Sequence, residues 1–293
     1  MKILVTGAQG MLGRDFCKVA EEKGHEVAPT DKSDAVAGTD LPELDVTDIA
    51  AVKSVLNNVR PDIVFHFAAL ADVDRCETHP DEGYLANVVG TENVALACAD
   101  AGVALAFSST GSLFGGEKTV PYTEYDPPNP ISEYAKTKHL GERVIQRTVP
   151  KHYIFRAGWM FGGGPKDNKF VARIIGIASK SNEIFGVTDR EGTPTYAVDL
   201  SERMLELVET GRYGLYHAGN EGYCSRYEFA RRIVDLAGLK DCRVDPVPAS
   251  KVPMPAHRPR LEALDNYKCR LLGMRPMRPW EDALKEYIET RLS

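Results

Sequence analysis

Apolar residues come in two rhythms along the first half of this chain. Ile3, Leu4 and Val5 follow one another without a polar interruption, flanked by Lys2 and Thr6, and the run stops at Gly7. Unbroken apolar runs this short predict strands buried on both faces of a parallel sheet. Over residues 11–23 the apolar positions recur at helical spacing until Gly24 ends the segment. Residues 26–30 predict a second strand stopping at Asp31, and Leu44, Asp45 and Val46 lead into a helix near 48–58. The run 62–69 reads as a third buried strand, with His66 expected as a satisfied core histidine. Residues 81–101 predict one long helix carrying Asn87, and 103–107 a strand ending in Ser108, Ser109 and Thr110. A helix over 132–147 and a strand over 152–156, ending in Ala157, Gly158 and Trp159, continue the pattern. Strand and helix alternating at this spacing make a doubly wound parallel α/β sheet the expected fold.

After Trp159 the alternation dissolves. Gly162, Gly163 and Gly164 open a connection, Phe170 to Ala178 and Leu200 to Val208 are amphipathic helices, and Gly214 to His217 is a short strand. Ser225 with Glu228 carries the capping-box signature of a further helix. A proline-rich run from Pro246 to Pro259 precedes a last helix over 280–292. The expected division is a sheet domain over 1–164 and a smaller mixed α/β domain over 165–293, interleaved with late elements of the first sheet.

Composition narrows the setting. A chain of 293 residues with 43% hydrophobic content can bury roughly three quarters of its unfolded surface. Its net charge of -6 argues against nucleic acid or an anionic membrane as partner, so any anionic ligand must be held by local groups. No apolar run approaches the roughly 18 residues of a membrane span, and the cytoplasm is the expected location. Cys17, Cys76, Cys98, Cys224, Cys242 and Cys269 are scattered without C-x-x-C pairs, which points to neither disulfides nor a metal.

Candidate chemistry begins at the first turn. Gly7, Gly10 and Gly13 stand at G-x-x-G-x-x-G spacing between a strand and a helix. Glycines there allow a tight turn, a close backbone approach to a ligand and close helix packing, while the amides around Met11 and Leu12 would cradle a pyrophosphate. Asp31, 18 residues beyond Gly13, is placed to accept the hydroxyls of an adenine ribose. Lys32 beside it would instead accommodate a 2′-phosphate, so NADH and NADPH both stay open. Asp45 and Val46 are candidates for the adenine edge, and the small Ala68 and Ala69 would let backbone approach the cofactor. Tyr134 and Lys138 share one helix face, and Thr110 ends a strand where ligands of parallel sheets bind. A lysine ammonium and an oxidised nicotinamide near Tyr134 would lower its pKa from about 10.

Glycine loop, acidic strand end, Ser-Thr strand end and Tyr-x-x-x-Lys in this order resemble the extended short-chain dehydrogenase/reductases, which are Rossmann folds. Lys2 to Gly13, Asn87 with Gly90, Ser109-Thr110, Tyr134 to Lys138 with Gly141-Glu142, and Arg156 with Trp159 carry the resemblance. Gly192 to Thr195, Asp199-Leu200 and Arg258-Pro259 extend it through the second half, toward the dTDP-4-dehydrorhamnose reductase branch. The resemblance implies a nucleotide-sugar substrate, its 4-keto group reduced by NADH or NADPH, most specifically dTDP-4-dehydro-L-rhamnose. It makes Thr110, Tyr134 and Lys138 catalytic, with Asn87 supporting the lysine. Ser109, Gly111, Trp159 and Arg258 would touch substrate, and Lys169, Arg258 and Arg260 are candidate phosphate partners. A homodimer stays among the expected assemblies. The branch usually carries Ser-Thr-Asp-Tyr-Val-Phe, whereas this chain has Gly111 and Ser112 in place of the acid and aromatic, and Arg190 in place of a Gln. Two rivals remain: a nucleotide-sugar epimerase or dehydratase of the same fold, and a non-catalytic subunit resembling the β subunit of methionine adenosyltransferase.

Overall fold

Alternate residues of the first strand enter different cores, which is why its apolar run is unbroken. In the computed structural model, which describes residues 1–36, 42–164 and 169–292, Ile3 and Val5 pack on one face of a sheet and Leu4 on the other. Burial of each such side chain contributes about 1.5–3 kcal/mol. Strands β1 (Lys2–Thr6), β2 (Glu26–Thr30), β3 (Ile63–His66), β4 (Ala104–Thr110) and β5 (His152–Ala157) join Gly214–His217 in one sheet. Its order is Gly214–His217, β5, β4, β3, β1, β2, and every pair is parallel. The chain builds outward from β1 to β2, then returns to build β3, β4 and β5 on the other side. That reversal opens a crevice beyond the carboxyl ends of β1 and β3, where sheets of this kind bind ligands.

Helices cover both faces. Helix α1 (Met11–Glu22) packs beside Ala197–Glu209 through Leu12, Phe16, Leu200 and Met204. Ile49–Val59, Gly90–Ala101 and Glu133–Thr148 cover the opposite face through Val52, Leu56, Val94 and Ile145. A further core lies under Phe170–Ala178, Arg226–Leu236, Trp280–Tyr287 and a two-stranded parallel pair, Glu183–Val187 with Arg243–Val247. Among the described residues no helix is long and apolar enough to cross a membrane.

Two segments differ from their sequence expectation. The strand expected over 62–69 ends at His66, and a helix, Val73–Thr78, follows it. The helix expected as one piece over 81–101 is Pro80–Tyr84, a π-helical turn Leu85–Val89, and Gly90–Ala101. Asn87 lies inside the π turn and is fully buried, where its side chain bonds two other segments instead of facing solvent. Such a turn is a common device where a side chain must be re-aimed.

His66 is the core histidine its surroundings suggest. Its Nδ1 meets Thr6 Oγ1 at 2.7 Å and its Nε2 meets Thr91 Oγ1 at 3.1 Å. Burial, with Lys138 nearby, pushes its pKa from 6.5 down to about 3. Burial and Arg156 do the same to His217, also to about 3. Both gain a proton on unfolding in mild acid, so their contribution is complete above pH 6.5 and lost as pH falls toward 3. We expect the unfolding constant to rise by up to about tenfold per pH unit for each histidine in that window. Urea titrations between those limits check this: His66→Asn should show the shallower pH slope, and an unchanged slope would contradict it.

Candidate active site

The turn after β1 admits only glycine at two of its positions. Gly7 has φ +72°, and a Cβ there would lie 2.5 Å from Ala68 N, just beyond β3. A Cβ on Gly13 would lie 2.2 Å from Gly7 O, so that glycine lets α1 start tight against the loop. Gly10 precedes α1 without a side-chain cap, leaving its first turn at Met11 and Leu12 open to an anion. Asp31 closes the same crevice: its carboxylate accepts from Gln9 N at 2.8 Å and from Lys32 N at 2.9 Å. Lys32 itself points to Asp34, 3.3 Å away at the surface.

The neighbouring candidates are tied down differently. Asp45 Oδ1 accepts from Thr47 N and Thr47 Oγ1 at 2.9 and 2.7 Å, bonds that hold its carboxyl below the usual range. Val46 is buried, its carbonyl accepts from Asn93, and a Cβ on Gly90 would sit 2.8 Å from its Cγ2. Ala68 and Ala69 follow β3, both half-buried, with Ala68 against Gly7. A loop of close-set backbone, an uncapped helix start and a carboxylate facing the loop amides fit the pyrophosphate and ribose of a dinucleotide.

Beyond the carboxyl end of β4, Ser132 caps the helix Glu133–Thr148 by accepting from Ala135 N at 3.3 Å, and the first turns of that helix present Tyr134 and Lys138. The Thr110 hydroxyl stands close enough to the Tyr134 phenol to act on its pKa. Thr110 Oγ1 accepts from Ser112 N at 3.1 Å, leaving its proton free to donate into the crevice. Burial pushes Tyr134 up to about 12; Thr110 pulls it back, and Cys76 and Glu262 add to the rise. Burial leads among these causes, and the lowering expected from the sequence belongs to the phenol with an oxidised nicotinamide beside it. Burial likewise pushes Lys138 down to about 7 against the charge of Glu142. Lys138 Nζ lies 4.0 Å from the centre of the Phe107 ring. Asn87 reaches the lysine indirectly: its Nδ2 donates to Thr137 Oγ1 at 3.0 Å, while Leu70 N donates to its Oδ1 at 2.8 Å. The π turn thus pins the loop after β3 to the helix that carries Tyr134 and Lys138.

The far wall of the site comes from the second half. Trp159 is held at φ 37°, a conformation bulky residues rarely adopt, and its ring lies 3.5 Å from the Arg226 guanidinium carbon. Arg226, lowered by burial to about 10, also covers Phe170 and is steadied by Glu262. Neither Arg226 nor Glu262 is singled out by sequence reading. The available signal for Glu262 is a charge inside the apolar run Leu261 to Leu264; for Arg226 there is none.

The other sequence candidates have partners of their own. Ser109, expected to touch substrate, is turned into the core, where its Oγ donates to Glu142 Oε1 at 2.6 Å. The cause is strand alternation: Thr110 faces the crevice, so Ser109 faces the helix behind it. Gly111 lies against Glu262 and Leu264. Arg258 pairs with Asp74 at 3.0 Å, near enough to Arg226 to act on it. Arg260 reaches Glu191 and the Lys118 carbonyl at the surface. Lys169 begins the helix Phe170–Ala178. A polar cleft of about 500 Å³ beside Asp199, Glu202 and Arg278 shares no residue with the Tyr134 cluster.

A family model described as "RmlD substrate binding domain" matches residues 1–292. The chain is 35% identical over 292 residues to the spore coat polysaccharide biosynthesis protein SpsK of Bacillus subtilis, covering 100% of this chain and 98% of that protein. A dTDP-4-dehydrorhamnose reductase crystal structure from Clostridium acetobutylicum superimposes with TM-score 0.93 at 38% identity, covering 100% of both chains. Another from Bacillus anthracis, in complex with NADP, gives TM-score 0.91 at 33% identity over 99% of each. With its glycine turn, its Thr110–Tyr134 pair and a match running almost end to end, the chain belongs to the RmlD substrate-binding domain family.

Proposed function

We propose that this protein reduces the 4-keto group of a dTDP-linked 6-deoxysugar, dTDP-4-dehydro-L-rhamnose to dTDP-L-rhamnose, using NADH or NADPH. The observation that carries the reading is Thr110 set beside Tyr134, one turn from Lys138, at the carboxyl end of β4 in a chain of this family. The reduced nicotinamide supplies the hydride. Thr110 hydrogen-bonds the ketone oxygen, and Tyr134, protonated throughout the neutral range, gives its proton to the developing alkoxide. Lys138, with its pKa at about 7, can return a proton to the phenolate near neutral pH. Residues 1–164 supply the dinucleotide site through Gly7, Gly10, Gly13 and Asp31, while the later residues mainly hold the sugar nucleotide.

A panel of dTDP-, UDP- and GDP-linked 4-keto sugars, assayed for NADH and NADPH oxidation, tests the reading. The dTDP ketone should be reduced fastest; activity confined to a UDP or GDP sugar would replace the nucleotide. Failure to reduce any ketone would favour a non-catalytic subunit.

Asp31 carries the cofactor prediction. Its carboxylate, set against Gln9 N, favours ribose hydroxyls and repels a 2′-phosphate, while Lys32 offers that phosphate a partner. Both cofactors should work, with NADH preferred. Asp31→Ala should raise KM for NADH and leave NADPH use equal or better. A wild-type protein strongly preferring NADPH would assign the choice to Lys32 or another cation.

A further inference from the structure

Glu262 brings a carboxylate to the place beside Thr110 where the sequence has only Gly111 and Ser112. The strand Leu261–Glu262 pairs in parallel with Glu191–Gly192, and Leu264 N donates to Thr193 Oγ1 at 3.1 Å, which delivers this side chain to the end of β4. Gly111 makes the room: a Cβ there would lie 3.2 Å from Glu262 O and 3.3 Å from Leu264 Cδ1. Ser112 Oγ donates to Glu262 Oε2, and Ser112 N donates to Thr110 Oγ1. Two bonds made by Ser112 therefore join the carboxylate to the Thr110 hydroxyl beside Tyr134. Its charge also acts on Tyr134 and on Arg226, whose guanidinium stacks on the Trp159 ring.

An ionised carboxylate has about four acceptor sites, and Glu262 is only 6% exposed. Among the described residues, Ser112 is the hydrogen-bond donor to its side chain. Its Oε1 takes no donor among these residues and is not sealed from solvent, so it is open to a donor arriving with the substrate. In a 6-deoxyhexose with a ketone at C4, C5 carries the methyl group and C3 a hydroxyl. The C3 hydroxyl is thus the donor next to the carbonyl that Thr110 and Tyr134 engage.

We propose that Glu262 is a specificity-determining residue whose carboxylate accepts the hydroxyl on C3, beside the ketone. The inference rests on the 4-keto sugar reading above, and it accounts for selection by a chain that lacks an acid at position 111. A site built to bond a hydroxyl rejects the analogue lacking it far more strongly than an apolar site rejects a change of size.

The test compares kcat/KM for the dTDP 4-keto-6-deoxy sugar and its 3-deoxy analogue. Wild type should favour the hydroxylated ketone by about 10² to 10⁴. Glu262→Ala should bring that ratio within about tenfold of unity, mostly by slowing the hydroxylated substrate. Glu262→Gln, which keeps size and one acceptor, should give an intermediate ratio and serves if the alanine variant does not fold. Ser112→Ala leaves the carboxylate in place and should keep most of the ratio. A ratio unchanged in a folded Glu262→Ala or Glu262→Gln would overturn the proposal and reduce Glu262 to a partner of Ser112. Wild-type inactivity on the dTDP pair would overturn the nucleotide instead, and the same ratio would be read on whichever UDP or GDP pair is reduced. Reduction of none would overturn both.

Discussion

Tyr134→Phe should lower kcat by about 10² to 10⁴, or about 3 to 5 kcal/mol of transition-state stabilisation. The substitution removes the proton donor and keeps the ring, so the helix Glu133–Thr148 and the position of Lys138 should persist. KM and cofactor affinity should barely move, because the lost interaction develops only as the ketone oxygen gains charge. Burial sharpens the expectation. With the phenol pushed up to about 12, Tyr134 is a full proton reservoir at neutral pH, and no nearby group duplicates it at the Thr110 hydroxyl. A variant retaining more than half of wild-type activity would remove Tyr134 from the reaction.

Glu142→Ala should be the most damaging change away from the crevice, with a loss of about 3–5 kcal/mol of stability. The Glu142 and Arg156 side chains are almost wholly buried and bonded in a fork, Nε to Oε1 at 2.8 Å and Nη2 to Oε2 at 2.6 Å, with Ser109 on the same carboxylate. Burial alone would push the carboxyl up, but Arg156, His139 and Ser109 together hold it at about 2. That contribution is present above the ordinary carboxyl pKa and is lost as pH falls toward 2. Removing one partner strands the other charge in the interior, which is why the single variant should lose more than a double replacement by apolar residues of similar volume. Urea denaturation of Glu142→Ala, Arg156→Met and Glu142→Met/Arg156→Met checks this; a double variant as weak as the sum of the singles would contradict it. The pair also reaches the chemistry. Glu142 is the leading charge raising Lys138 against its burial, so losing it should leave Lys138 less protonated at neutral pH.

Much of this arrangement was legible because it is local. An unbroken apolar run, three spaced glycines and a Tyr four residues before a Lys each state their geometry within one strand, one turn or one helix. Ser109 shows where such reading slips: adjacent strand residues face opposite sides, and a pair named together cannot both face the crevice. Asn87 slips for another reason, since a π turn is not visible in a helical pattern that differs by one residue. Arg226 and Glu262 reach the site from segments far along the chain, and only the packing of the second core on the first brings them there. The Arg258–Asp74 ion pair joins segments equally far apart, and no local pattern states it.

Cofactor consumption measured together with product identity tests the central claim most directly. On adding dTDP-4-dehydro-L-rhamnose to enzyme and reduced cofactor, the expected result is one NADH or NADPH oxidised per ketone lost, with dTDP-L-rhamnose accumulating. Sugar conversion without net loss of cofactor absorbance, as an epimerase that recycles its cofactor would give, would contradict it.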